Sequence, residues 1–492
     1  MQLHKKNMQN EESFVSRIVV KFYDGAGINY RNGNDIVEIL LRKDNADQWK
    51  DFIGLYPHIQ IDKLFTSLST DGIIELVKKA RALDATYNPP DLLSYYVFSF
   101  PASIRPNGLL LKLSAFREVE LAYLQSAAID PHGVSNRQHP FYFRKHLDPA
   151  PIGINAKYAW GIKGGRGSSG VRFIDIEQGW ILDNNMINAK LLPLTGINNP
   201  YFRNHGAAVL SVIMMKDARK KGMGITPDVN GFVISQWRPG GEPNDSDAIL
   251  AAITYLNFGD ILLVETQSFY SNNNTKIWPA EVHDATFQVI RLATALGIIV
   301  IEAAGNGDLY SISGNDLDFF LSNKKRALNP ASRFFRDSGA IIVAAASMDV
   351  PHSRIRYSNY GKRINCYAWG EGVVTQGNYS ASPRTAITTY ATGFTGTSSA
   401  AAIIAGVAIA VQSISETKYN IRFSPSQMRH ILSSDQYGTT SVNGRARDKI
   451  GVMPDLKKII DNCLHVPPTY CEDVKLRIIR DYTATSPAAA DG

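Results

Sequence analysis

Apolar residues along this chain gather into short unbroken runs and longer one-sided ones. Ile18-Val19-Val20-Lys21-Phe22-Tyr23 and Tyr95-Tyr96-Val97-Phe98-Ser99-Phe100 are rich in β-branched and aromatic residues and read as strands. Val171-Arg172-Phe173-Ile174-Asp175 reads as a buried strand with a carboxylate at its carboxyl end, and Ile176-Glu177-Gln178-Gly179 as the turn behind it. Helical patterns occupy Gly72 to Leu83 and the Gln48 to Leu68 region. Two apolar stretches open on polar residues and read as buried helices: Ala207 to Ile213 behind Asn204-His205-Gly206, and Ala400 to Val411 behind Gly396-Thr397-Ser398-Ser399. The second, at about 12 residues, falls short of the roughly 20 needed to cross a bilayer.

A serine in the first turn of a helix sits among unpaired N–H groups at the positive end of the macrodipole, where developing negative charge is favoured. Ser398 therefore has two readings: a nucleophile, or, with Thr397, an N-cap of a core helix. A nucleophilic serine needs a base and an acid that orients the base. His205 opens one helix and Asp175 ends one strand, at the kind of edge where α/β sites form.

With Asp175, His205 and Ser398 in that chain order, residues from about Ile154 to Leu456 resemble the subtilisin family of serine proteases, the subtilases. Gly297 to Asn306 resembles the family strand that ends in Ala-Gly-Asn, and smaller echoes stand at Gly224-Ile225-Thr226-Pro227, Tyr357-Ser358-Asn359-Tyr360-Gly361 and Gly451 to Leu456. The resemblance implies a three-layer α/β fold with a mostly parallel central sheet. It also implies a serine endopeptidase with Ser398 as nucleophile, His205 as general base, Asp175 as the orienting acid and Asn306 in the oxyanion hole. Glu265, Ala303, Ala304 and Gly305 fall on segments resembling the walls of the specificity pocket, as does Glu302, so a preference for basic side chains is one expectation. The departures imply a rearranged turn after the acid but remove no polar group essential to the chemistry. Ile176 and Glu177 replace the usual small residue and glycine after the acid, the glycine arriving at Gly179. Ala207 replaces a threonine, Ser399 a methionine and Ala402 a proline. A catalytically inactive peptide-binding relative is the alternative. A serine esterase is opposed by the residue order and the lack of a Gly-x-Ser-x-Gly elbow, and a sedolisin by His205 in the base position.

Arg117 to Leu124 resembles the last strand of a subtilase propeptide, so residues 14–135 are expected to form an α+β propeptide-like or accessory domain that docks on the catalytic domain. Self-cleavage is expected between Leu124 and Gly133. The organisation expected is then a polar segment over 1–13, this unit, a catalytic domain over 136–460, and a tail over 461–492 with an edge strand at Val474 to Ile479.

Composition narrows the setting. At 492 residues with 44% hydrophobic content the chain is ordinary globular protein, and +7 net charge without a long basic run does not argue for nucleic acid. The expected partner is a protein or peptide substrate, with neither nucleic acid nor membrane. Cys366, Cys463 and Cys471 are too few for a disulfide framework or a zinc site and read as reduced thiols, with Cys463–Cys471 pairing as the alternative in an oxidising setting. Gly165 to Gly170 matches a dinucleotide fingerprint but precedes its strand, so it reads as a flexible approach to Val171. The chemistry requires no cofactor or catalytic metal, and structural calcium is not readable from these residues. Met1 to Glu12 has basic residues with no apolar core behind them, which is not the pattern of a secretory signal. The expectation is a cytoplasmic protein, or one exported by another route.

Overall fold

The computed structural model describes residues 14–464 except 29, 31–32, 102, 130–143, 183–186, 193–194, 218–221, 271–274 and 377–389. The expected strand at Val474 to Ile479, Cys471 and part of the expected cleavage segment lie outside the described residues.

The N-terminal unit runs β1 (Phe14–Phe22), α1 (Gly33–Leu40), α2 (Ala46–Leu55), β2 (Gln60–Lys63), α3 (Thr70–Leu83), β3 (Tyr95–Pro101), α4 (Pro106–Ser114) and β4 (Val119–Leu124). Its sheet has the order β2-β3-β1-β4, antiparallel throughout. The region expected to be helical from Gln48 to Leu68 divides instead, with α2 stopping at Leu55 and β2 following. Pro57 explains the break, because it disfavours helical geometry at Tyr56 and cannot donate into the last turn. Trp49 stacks on Phe116 with ring centroids 3.8 Å apart, and Phe22, Phe52 and Phe98 complete an aromatic core.

The larger domain contains α5 (Ala156–Trp160), β5 (Arg172–Glu177), β6 (Lys190–Leu191), α6 (Arg203–Met214), a small hairpin of β7 (Lys216–Asp217) and β8 (Gly222–Met223), β9 (Asn230–Ser235), α7 (Asp245–Ile253) and β10 (Ile261–Val264). It continues with β11 (Gln267–Phe269), β12 (Lys276–Pro279), α8 (Asp284–Ala295), β13 (Ile299–Ala303), β14 (Gly307–Asp308), β15 (Ile341–Ala346), β16 (Cys366–Trp369), β17 (Val373–Gln376) and β18 (Tyr390–Phe394). The last elements are α9 (Thr397–Tyr419), α10 (Pro425–Ser433), β19 (Gly438–Thr440), α11 (Gly444–Asp448), β20 (Val452–Pro454) and α12 (Leu456–Cys463). Nine strands form one sheet in the order β19-β20-β16-β15-β13-β10-β5-β9-β6, parallel except where β19 meets β20. This is the three-layer α/β architecture expected. α12 carries three residues into the expected tail, burying Cys463, while Cys366 is buried in β16.

Side chains alternate across a strand, so each strand divides its residues between the two faces. Phe173, Leu263 and Ile301 share one core cluster with residues of α6 and α9. Ile174, Leu262 and Val300 share the other with α7, α8 and the N-terminal unit. α9 runs 23 residues, nearly twice the apolar stretch that announces it, and all of residues 397–415 are buried. Its length and composition would suit a membrane span, yet its apolar window is wholly enclosed by protein. The helix outlasts the apolar run because its polar residues find partners: the Gln412 side chain donates to the carbonyls of Gly259 and Phe423, both at 2.9 Å, and Ser415 to that of Ile421 at 2.8 Å.

The N-terminal unit rests on the α7 and α8 face. Asp247, in the first turn of α7, accepts from the backbone N–H groups of Thr66 at 2.7 Å and Ser67 at 2.9 Å, and pairs with Arg238 at 2.9 Å. Tyr95 bonds Asp284, and Arg291 pairs with Asp84 at 2.6 Å. Asp247 and Arg238 are both buried, so Asp247→Ala strands two donors and deprives the guanidinium of its carboxylate, which should cost roughly 3–5 kcal/mol. Chemical denaturation of the whole chain measures this. A midpoint unchanged from the parent would show that this contact does not hold the two units together.

Candidate active site

Three carboxyl groups converge where β5 and β10 end. The register pairs Leu263 with Asp175 and Val264 with Ile176, and the Glu265 N–H donates to the Ile176 carbonyl at 3.2 Å. Asp175 and Glu177 share the parity of Phe173, and Glu265 that of Leu263, so all three side chains fall on the face covered by α6 and α9. All three are buried.

Glu177 bonds Nδ1 of His205. The expectation that Asp175 would meet the imidazole is corrected here: Asp175 lies two residues deeper in the strand, where its Oδ2 accepts from the Trp180 indole N–H at 2.8 Å. The carboxylate at the strand's true end is Glu177, since β5 runs on through Ile176 and Glu177, the first two residues of the expected turn. The signal was present in the sequence. The family pattern of acid, one residue, then glycine is met by Glu177-Gln178-Gly179, so the glycine that looks displaced relative to Asp175 is in place relative to Glu177. Gly206 then lets α6 lie directly on this turn, because a Cβ there would stand 2.4 Å from the Gly179 carbonyl oxygen and 2.5 Å from Trp180 Cδ1.

His205 is the third residue of α6, with Phe394 edge-on to its ring at 5.4 Å. Its Nε2 makes no hydrogen bond to a described residue. Ser398 is the second residue of α9, and the N-cap is Gly396 at φ 102, so the capping reading of Thr397 or Ser398 is not what the helix shows. Gly396 N–H donates to the Gly370 carbonyl and the Tyr357 hydroxyl, both at 2.9 Å, and the Ser399 hydroxyl donates to the Trp369 carbonyl at 3.1 Å, which fixes the serine turn on β16. Asn306 comes to the same turn. Its Oδ1 accepts from the Thr397 N–H at 2.9 Å and hydroxyl at 3.0 Å, which holds the Asn306 amide one residue from Ser398.

Burial, then the nearby charge of Glu177, holds Asp175 well above the usual carboxylate range, and the Trp180 bond only partly opposes this. Glu265 is raised for the same reasons, burial first and then Glu177 and Asp175. The Ser398 hydroxyl is within reach of the Glu265 carboxyl, short of a full hydrogen bond. Glu302 does not join them. It has the opposite parity to Ile301 and Ala303, faces the α8 side, and accepts from the Glu281 N–H at 2.8 Å. Its place as a wall of the pocket is therefore corrected. Ala304 and Gly305 do border the turn that leads to Asn306: Asn359 Nδ2 donates to the Ala304 carbonyl at 2.7 Å, and β12 inserts between β11 and β14 on either side.

Residues 125–129 lead from β4 toward this cluster. The Gln125 side chain donates to the Pro243 carbonyl at 2.8 Å, the Phe269 N–H to the Ser126 hydroxyl at 3.1 Å, and the Gln178 side chain to the Ile129 carbonyl at 2.7 Å. Gln178 adjoins Glu177. Ser398 and His205 are each only 3% exposed.

No curated protein sequence matches the chain. Among solved structures, it is similar to the prenylagaramide maturation protease PagA at 19% identity, over 62% of this chain and 97% of that one, with a TM-score of 0.44. It is also similar to fervidolysin from Fervidobacterium pennivorans, a keratinolytic enzyme related to subtilisin, at 12% identity over 92% of this chain and 62% of that one, with a TM-score of 0.49. The sequence model of the Subtilase family (peptidase S8) matches residues 182–450, more than half of the chain, and the protein belongs to that family.

Proposed function

We propose that this subtilase is a serine endopeptidase in which Ser398 attacks the scissile carbonyl, His205 takes its proton and Glu177, not Asp175, orients and stabilises the imidazole. The observation that carries the reading is the Glu177–His205 bond, together with Ser398 in the first turn of α9. A carboxylate on Nδ1 fixes the tautomer that leaves Nε2 free to accept the serine proton, and stabilises the imidazolium that results. The oxyanion would meet Asn306 Nδ2 and the Ser398 N–H, the side-chain donor contributing about 2.7–4 kcal/mol, a magnitude known from a subtilisin. Asp175, buried against Trp180 and pushed toward its neutral form, supports the turn.

The N-terminal unit acts in this reading as folding template and plug. A parallel sheet of long-range pairings closes slowly, and a unit bonded to α7 and α8 biases them toward their final places. The contacts of Ser126 with β11 and of Ile129 with Gln178 bring the chain beyond β4 to the neighbour of Glu177, which supports the reading of self-cleavage just beyond β4. A second reading, a binding scaffold that does not cut, draws on the missing bond between His205 Nε2 and Ser398. Labelling of Ser398 by a fluorophosphonate separates the two.

Glu177→Gln should lower kcat/KM by about four orders of magnitude, the scale for an orienting acid made an amide, whereas Asp175→Asn should stay within about tenfold of the parent. The reverse ranking on a peptide substrate would restore Asp175 as the orienting acid. Asp175→Asn also tests the buried neutral acid. The folded state keeps a proton that the unfolded chain loses above about pH 3.9, so stability falls with rising pH, by at most about 1.4 kcal/mol per unit for this group. Thermal unfolding between about pH 5 and about pH 8 should therefore show a shallower decline in the variant; an equal slope would mean that Asp175 ionises in the folded protein. For self-processing, the intact mass of the parent should lack the N-terminal unit while Ser398→Ala keeps it, and equal masses, allowing for the substitution, would remove the self-cleavage step.

A further inference from the structure

Glu265 has no part in the mechanism above, yet it is buried at the end of β10 with neither carboxyl oxygen in a full hydrogen bond to a described residue. Asp175 and Glu177 face it from β5, Glu177 in turn bonding His205 of α6, and from α9 the group within its reach is the hydroxyl of Ser398. Strand parity and the Glu265 N–H bond to Ile176 hold it there, on the α6 and α9 face. We propose that Glu265 is a positioning residue for Ser398, a buried carboxyl whose protonated form leaves the serine hydrogen to His205 and whose ionised form diverts it. The inference rests on Ser398 being the nucleophile.

The argument is an inventory of donors and acceptors. A neutral carboxyl donates one hydrogen, and if it gives that hydrogen to Ser398 Oγ, the serine O–H is left to donate to the imidazole. An ionised carboxylate accepts only, so it takes the single serine hydrogen for itself, and the imidazole loses its partner. The site favours the first state, since a second full charge beside Glu177 is opposed both by burial and by repulsion. Activity would then fall on the alkaline side, as Glu265 is forced to ionise.

The test is the pH profile of Ser398 labelling by a fluorophosphonate in the full chain, which needs no knowledge of the substrate. The parent should lose about tenfold or more of its labelling rate from neutral to strongly alkaline pH, and Glu265→Gln, which keeps a donor and cannot ionise, should lose less than about threefold. Glu265→Ser, a smaller non-ionisable donor, makes the same prediction should the amide fold poorly. A merely structural role would scale the rate equally at every pH. Parallel profiles in parent and variants would overturn the proposal while leaving Ser398 as nucleophile; no labelling of the parent at any pH would overturn the underlying reading and the proposal with it.

Discussion

The site is organised by the cost of burying negative charge. Three carboxyl groups lie together on one face at the ends of β5 and β10, and Asp175 and Glu265 are both pushed toward their neutral forms. An ionised carboxylate removed from water costs several kcal/mol unless a donor meets it. Among the three, Glu177 is the one bonded to the imidazole, and the proposed mechanism uses it there. On the proposed reading this bond sets the tautomer of His205, while Asp175 bonds Trp180 and, like Glu265, is pushed toward its neutral form.

Much of this was legible in the residues. Gly396 to Ser399 before an alanine-rich run, Asn204-His205-Gly206 before another, and Ala303 to Asn306 after a strand all find their elements where the pattern puts them. The acid was harder, because Asp175 and Glu177 have the same strand parity and both end an apolar run in a linear reading. What separates them is where β5 stops, which depends on its pairing with β9 through Glu177 and Ser235. Glu302 departs from expectation for the converse reason: its neighbours in sequence border the site, but parity turns its side chain to the opposite layer. The extent of α9 was hidden as well, since Gln412 and Ser415 look like the end of a buried helix until their distant carbonyl partners are known.

The N-terminal unit touches the larger domain at α7, α8 and β11. Asp247 and Asp284, in the first turns of α7 and α8, take donors from the N-terminal unit, while the chain leaving β4 passes β11 and reaches Gln178, next to Glu177. Ser398 and His205 are both buried in this arrangement.

The central claim is that Glu177 holds the proton-bearing nitrogen of His205. Proton NMR of the chain carrying nitrogen-15 histidine observes that N–H directly, as a strongly downfield resonance of a hydrogen bond to a carboxylate. The resonance should persist in Asp175→Asn and vanish in Glu177→Ala. Its loss in Asp175→Asn with retention in Glu177→Ala would contradict the account.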